Sequence, residues 1–422
     1  MPIELILILG LLVIFILPML TDLNVGIVAF VVAMCLGNLV LDLSTKEILQ
    51  GFPTQMFVLI VGVTLLLAIA EQNGTIDWVV TSLLSLAKGK LFYLPILLFI
   101  TAFVTSSLGP GAAPVLFVIG AGLIGKFGLN PLLIAAMVIH GTQSGAYSPI
   151  APYGIVIQQL AEDQAISYEP WPMYFAVVGF HIVLAAAAFT LLGGRALRGK
   201  VFNDGVATEM PQDSSPNIRI VTLLGFAALL LAVVGFGIHL GFATMIISFF
   251  LLLASPRRIR NEAVSRVAWP IVLVITGVLT YVSMIQEAGA ISWLAGQTDV
   301  LGSASLVGLL LCYLVSVITG VASTIGTIGM LVPLSAPLIV SGDLDGTGLL
   351  TAMAISAAIS DISPFSTWGA LFLASVASVT DRDSVLKKQL IYTGVLVITM
   401  PFVAWLLFVV VGLLPVSNPM PG

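Results

Sequence analysis

Two short strings hold most of the residues able to do chemistry in a chain that is otherwise apolar. Ser148-Pro149-Ile150-Ala151-Pro152-Tyr153-Gly154 is answered 215 residues later by Ser363-Pro364-Phe365-Ser366-Thr367-Trp368-Gly369. Each places small hydroxyl residues and proline inside a hydrophobic helical run. Backbone that leaves its helix at membrane depth must be buried in protein or line a water-filled cavity, because lipid satisfies no freed N–H or C=O group. A matched pair of such breaks points to a transporter's binding site. Asp361 is the only acid well inside the second run, and its counterpart in the first is Ala146. Intramembrane carboxylates are costly and usually functional, so Asp361 is a candidate to hold a coupling cation or a proton. His140 precedes the first break and can reach Ser144 one turn on; it is either a satisfied core histidine or a proton relay.

Two further clusters have the same character. Thr105-Ser106-Ser107-Leu108-Gly109-Pro110-Gly111 and Ala322-Ser323-Thr324-Ile325-Gly326-Thr327 each form the tip of a helix–tip–helix unit. The helix that follows such a tip opens with unpaired N–H groups carrying partial positive charge. Helix N-termini flanked by hydroxyls suit a carboxylate or phosphate, and the freed carbonyls suit Na⁺. Close helix packing through Ser and Gly is the competing explanation. An intramembrane hydrolase built on His140 and Ser144 is the rival from another class. The chain has neither a Gly-x-Ser-x-Gly elbow nor a His-Glu-x-x-His motif, and catalysis gives no reason for the symmetry.

The elements that must position these residues are membrane helices. Hydrophobic residues make up 59% of the chain and charged residues 8%, against roughly 25% charged in soluble proteins. Apolar runs of membrane-spanning length recur throughout. The expected fold is all-α, with about ten spans and two re-entrant hairpins, 91–125 and 300–340. Residues 1–193 form a first repeat, 194–218 a polar linker, 219–413 a second, inverted repeat, and 414–422 a tail. Broken helices are expected at 131–160 and 348–378. Gly62-Val63 matches Gly277-Val278 and Trp78 matches Trp293 at the 215 offset, while Gly109 pairs with Gly326 and Leu133 with Leu350 at 217. This threading puts fourteen of the 15 Lys and Arg residues on one side and only Lys46 on the other. The positive-inside rule then makes the linker cytoplasmic and both termini external. No basic residue is left at mid-membrane, so an anionic substrate would be held by helix dipoles and hydroxyls, with a co-bound cation or proton for charge balance. Cys35 and Cys312 fall in apolar runs without metal-site or disulfide spacing. No cofactor and no nucleic-acid partner is expected.

Gly51-Phe52-Pro53, Asn73-Gly74-Thr75-Ile76-Asp77-Trp78, Leu108-Gly109-Pro110-Gly111, Ile139-His140-Gly141 and Ser148-Pro149 together resemble the malonate/C4-dicarboxylate carrier (MatC-type) family of the ion transporter superfamily. The likeness covers roughly residues 1–195; the second half is similar only to the superfamily pattern. It implies Na⁺- or H⁺-coupled uptake of small dicarboxylates such as malonate, succinate or malate across a bacterial inner membrane. It also implies an elevator-like movement, a homodimer embedded in lipid, and bound Na⁺ near Thr105, Ser144, Gly145, Ser360 and Asp361. Sodium/dicarboxylate relatives carry Ser-Asn-Thr at each tip, whereas this chain has Ser106-Ser107-Leu108 and Ser323-Thr324-Ile325. The expected substrate site lies between Ser106, Ser107 and Ser148 of one repeat and Ser323, Thr324 and Ser363 of the other. An antiporter, or an exporter of a metalloid or other anion, on the same fold is the alternative.

Overall fold

The computed structural model describes residues 3–21, 23–75, 78, 82, 85–109, 113–201, 216–232, 236, 238–290, 303–320, 324–376 and 379–415. Ser323, Trp293, most of the linker and the last residues of the tail lie outside that set. The first half comprises α1 (Ile3–Thr21), α2 (Val25–Leu39), a short α3 (Thr45–Gln50), α4 (Thr54–Gln72), α5 (Tyr93–Leu108), α6 (Ala113–Phe127), α7 (Pro131–Ala146), α8 (Pro152–Asp163) and α9 (Pro170–Leu191). The second half comprises α10 (Pro216–Leu230), α11 (Leu240–Ala254), a short α12 (Arg257–Glu262), α13 (Trp269–Glu287), α14 (Ala304–Thr319), α15 (Thr324–Val340), α16 (Gly346–Ala358), α17 (Thr367–Val376) and α18 (Arg382–Trp405). A 3₁₀ turn, Ile359–Ile362, extends α16, and a π turn, Leu406–Val410, extends α18. The described residues form no strand beyond one isolated bridge, Lys90 to Val201. Among the described residues the molecule is all-α.

Local chemistry sets the helix starts. Asn130 Oδ1 accepts from Leu132 N and Asp345 Oδ2 from Gly348 N, each capping one of the two broken helices. Pro131, Pro152 and Pro170 sit in first turns, where a missing N–H costs nothing. The caps Asn130 and Asp345 are 215 residues apart, and so are the starts of α8 and α17. This corrects the 217-residue register. Gly109 terminates α5 just as Gly320 terminates α14, whereas Gly326 lies inside α15. Chance identity of small residues produced the false pairing: the hairpin limbs correspond at 211 residues and the capped broken helices at 215.

The helices fall into two packed groups. In one, α2 crosses α13 and α4 crosses α11, with α1 and α10 alongside. These crossings are reciprocal. A Cβ on Gly277 would sit 2.2 Å from the Gly26 carbonyl oxygen, and one on Gly62 would sit 2.5 Å from Thr244 Oγ1 and 2.9 Å from the Gly241 oxygen. The sequence-matched Gly62 and Gly277 are thus the contact points of two equivalent helix pairs, close approach being what glycine permits in lipid. In the other group, α7 packs on α5 and α9, α16 packs on α14 and α18, and α9 joins α16. The halves also exchange partners: α8 packs on α15 of the second hairpin, and α17 on α6 of the first.

Among the described residues, Pro170–Leu191, Gly346–Val376 and Arg382–Val410 are long and apolar enough to cross a membrane. In the apolar window of the broken stretch Gly346–Val376, 94% of the residues are buried, against 28% in Arg382–Val410. The interrupted helix is wrapped in protein, and the intact one is left to lipid.

Charge divides between the two ends of the bundle. Leu91 N bonds Lys200 O, Arg198 stacks on Phe92, Asn130 reaches Leu192 O, and Gly125 faces Val379. Those contacts gather the segments bearing Lys88, Lys90, Lys126, Arg195, Lys200 and Arg382. At the opposite end Glu169 N bonds Thr347 Oγ1, and Gln164 and Gln286 exchange hydrogen bonds of 3.0 and 2.9 Å, bringing the acidic loops together. The positive-inside rule predicts that the basic end faces the cytoplasm, in which case a cysteine placed at Gln164 should react with an impermeant maleimide in intact cells. One placed at Lys126 should react only after permeabilisation; the reverse labelling order would invert the topology.

Candidate functional site

Both helix breaks are built by the same turn. Ser148 N bonds Gly145 O (2.9 Å) and Ala151 N bonds Ser148 O (2.8 Å); Ser363 N bonds Ser360 O (2.9 Å) and Ser366 N bonds Ser363 O (3.0 Å). Each serine hydroxyl accepts from the N–H two residues on, Ile150 N at 3.5 Å and Phe365 N at 3.3 Å. The chain then doubles back so tightly that a Cβ on Gly154 would lie 2.1 Å from the Ser148 carbonyl oxygen, and one on Gly369 1.9 Å from that of Ser363. Glutamines tie off remaining carbonyls. Gln158 Nε2 donates to Pro149 O and Gly154 O, and Gln389 Nε2 to Ile362 O and Gly369 O. Ser366 Oγ donates to the carbonyls of Asp361 and Ser363 and accepts from Gly369 N.

Beside these turns lies a cavity of about 350 Å³ lined by Leu23, Asn24, Val25, Pro152, Tyr153, Pro270, Val274, Thr324, Ile325, Asp361, Thr367 and Trp368. It sits at the seam between the two helix groups, with α2 and α13 on one wall and α8, α15 and α17 on the other. All five helices enter it by their N-terminal turns. Pro152-Tyr153 and Thr367-Trp368 occupy equivalent places, 215 residues apart. Asp361 Oδ2 accepts from Thr324 Oγ1 at 2.5 Å and also from Gln143 Nε2. One carboxylate thereby joins the second hairpin tip to α7 of the first half. Tyr153 stands beside Trp368, Thr324 and Gln143. No Lys or Arg is among the lining residues.

The residues singled out from sequence separate here. Asp361 and Thr324 meet in the cavity wall. Ser148 and Ser363 lie behind it, their hydroxyls engaged by their own turns. Ser106 is fully buried in α5, and Ser107 Oγ donates to Phe103 O and lies 3.1 Å from Tyr174 Oη; neither lines the cavity. Thr105 Oγ1 donates to Thr101 O, Ser144 Oγ to His140 O, and Ser360 Oγ pairs with Ser316 Oγ at 2.7 Å. The carbonyls of Thr105, Gly145 and Ser360 already accept from Gly109, Ser148 and Ser363. Gly145 also serves packing, since a Cβ there would meet Phe103 O at 2.4 Å. The imidazole of His140 does not reach Ser144; it bonds His181 and Tyr392. Sequence reasoning missed Tyr153, Trp368, Gln143 and Asn24. The first two stood in the repeated strings, next to the glycines that force the turn.

Residues 1–146 match the family model described as the dicarboxylate carrier protein MatC N-terminus. Over those N-terminal 146 of its 422 residues the chain is similar to dicarboxylate carriers. It is a transporter rather than an enzyme. Among curated proteins no sequence matches it. Two solved structures share the fold of this carrier. The YdaH transporter of Alcanivorax borkumensis is 14% identical, with a TM-score of 0.60 over 90% of this chain and 96% of that one. MtrF of Neisseria gonorrhoeae, from a class of antimetabolite efflux pumps, is 14% identical, with a TM-score of 0.59 over 89% of this chain and 85% of that one.

The doubled-back turns make a direct prediction. Gly154→Ala and Gly369→Ala each force a methyl against backbone oxygen, a clash of the kind that costs about 1–3 kcal/mol or more. Both should lower the thermal unfolding midpoint in detergent. Gly179→Ala, where a Cβ meets nothing within 4 Å, should leave it unchanged.

Proposed function

We propose that this carrier imports small dicarboxylates of the malonate, succinate or malate class with a coupling cation, Na⁺ or H⁺, through the cavity between its two helix groups. The observation that carries the reading is the convergence of five helix N-termini on one cavity without a lysine or arginine. Such N-termini present N–H groups and partial positive charge to an anion, and the volume falls in the range of small-molecule sites. The substrate contacts assigned here are Thr324, Tyr153, Thr367 and Trp368, with Ser148 and Ser363 acting through the turns that aim α8 and α17. Asp361 brings a negative charge to a site for anions. A dianion is therefore accommodated together with a cation that offsets that charge, which is the electrostatic basis of coupling in this proposal. An elevator movement fits the position of the cavity at the seam, and the inner membrane, a homodimer and cytoplasmic placement of the basic end complete the reading.

Purified carrier in liposomes should exchange radiolabelled malonate or succinate across the membrane. Thr324→Val should reduce that exchange about tenfold, equivalent to about 1.4 kcal/mol, while Ser107→Ala should stay near wild type. Asp361→Asn retains an oxygen for both hydrogen bonds and removes the charge. It should lower the KM for the dianion and weaken the dependence on the coupling cation. Absence of carboxylate exchange in the wild type would overturn the substrate class. Carboxylate movement only outward, against a gradient, would favour an exporter of the kind MtrF represents.

A further inference from the structure

His140 on α7 and His181 on α9 are both fully buried. Their Nδ1 atoms lie 3.0 Å apart, and His140 Nε2 lies 3.0 Å from Tyr392 Oη on α18. His181 Nε2 is buried and has no partner among the described residues. A neutral pair needs one proton in the Nδ1–Nδ1 bond. If His181 supplies it, His140 carries its own proton on Nε2, facing Tyr392, and His181 Nε2 is a bare lone pair in a dry interior. If His140 supplies it, His181 Nε2 becomes an N–H with no acceptor. Either way one nitrogen is unsatisfied, which buried polar groups avoid unless they have a task.

We propose that the His140–His181 pair is the coupling-proton site of this carrier, one proton being loaded with each carboxylate. This deepens the reading above and rests on it. The proton adds to the lone pair of His181 Nε2, no other bond breaks, and the positive charge spreads to His140 as the bridging proton shifts between the two Nδ1 atoms. Release reverses the addition at the same nitrogen. Among the described residues, the groups hydrogen-bonded to the pair are each other and Tyr392. Tyr147 and Tyr174 lie about two turns away along α7 and α9, and the charged residues of α8 and α18, like Lys126 on α6, are exposed at helix ends. Asp361 accepts from Gln143, which sits one turn after His140 on α7. That route ties the pair to the cavity: a charge arriving at His140 is felt at Gln143 and Asp361, on the side where the anion binds.

The test uses the full-length carrier in liposomes loaded with pyranine, with the membrane potential clamped and Na⁺ absent. A one-unit inward proton gradient should drive malonate or succinate accumulation of about tenfold for one proton per substrate, with substrate-dependent acidification of the lumen. His181→Gln should abolish accumulation and acidification while retaining carboxylate counterflow, which needs no net proton movement. Tyr392→Phe should shift the pH dependence of accumulation and also keep counterflow. Counterflow is the check on folding. Wild-type counterflow without acidification, or His181→Gln that accumulates as wild type does, overturns the proton site and leaves the carboxylate reading intact. Loss of both activities in His181→Gln, with a wild-type unfolding midpoint, overturns it by making the pair part of substrate passage. Failure of wild-type counterflow is the separate failure of the carboxylate reading itself.

Discussion

Everything at the centre of this carrier follows from having to satisfy backbone groups where two helices stop inside the bundle. A break in a dry interior releases donors and acceptors whose unpaired burial is costly. The chain meets that cost twice with one device: a serine that accepts from its own turn, a carbonyl that closes the next bond, and a glycine that lets the helix restart against it. Gln158 and Gln389 absorb carbonyls that remain. With these groups paired internally, the restarting helices can aim their N-termini at an open cavity without collapsing into it.

Asp361 links that architecture to charge. It belongs to the 3₁₀ turn before the second break, a turn that the first broken helix lacks. Its carboxylate is held by a hydroxyl from the second hairpin and an amide from the first half. One negative group among several helix N-termini sets a balance that shifts with whatever ion or proton enters. The symmetry supplies the cradle, and the departure from symmetry supplies the charge.

Much of this was legible in the residues. The 215-residue spacing of the broken helices, the breaks at Ser148 and Ser363, and the sorting of lysine and arginine to one end all appear in the one-dimensional string, because each reflects a local or compositional requirement of membrane helices. The cavity lining was harder to see. Ser106 and Ser107 look like ligands in sequence, yet α5 packs them toward its neighbours. Which side of a helix faces a cavity depends on packing partners more than a hundred residues away. His140 shows the same limit: its spacing to Ser144 suggested a local contact, while its partners come from α9 and α18. The hairpin register misled because matching glycines were aligned without the caps that fix helix ends.

The glycine crossings of α2 on α13 and α4 on α11 have a mechanical consequence. Where backbone rests on backbone, with a Gly26 oxygen filling the space a Gly277 side chain would need, sliding one helix past the other would require lifting whole main chains apart. Those joints behave as welds. Relative movement is then left to the boundary between the two helix groups, across which the exposed amide pair Gln164–Gln286 bonds at the end of the bundle opposite the basic residues. Water can replace such a pair at little cost, so the stiffness of one half of the molecule decides where the other half gives way.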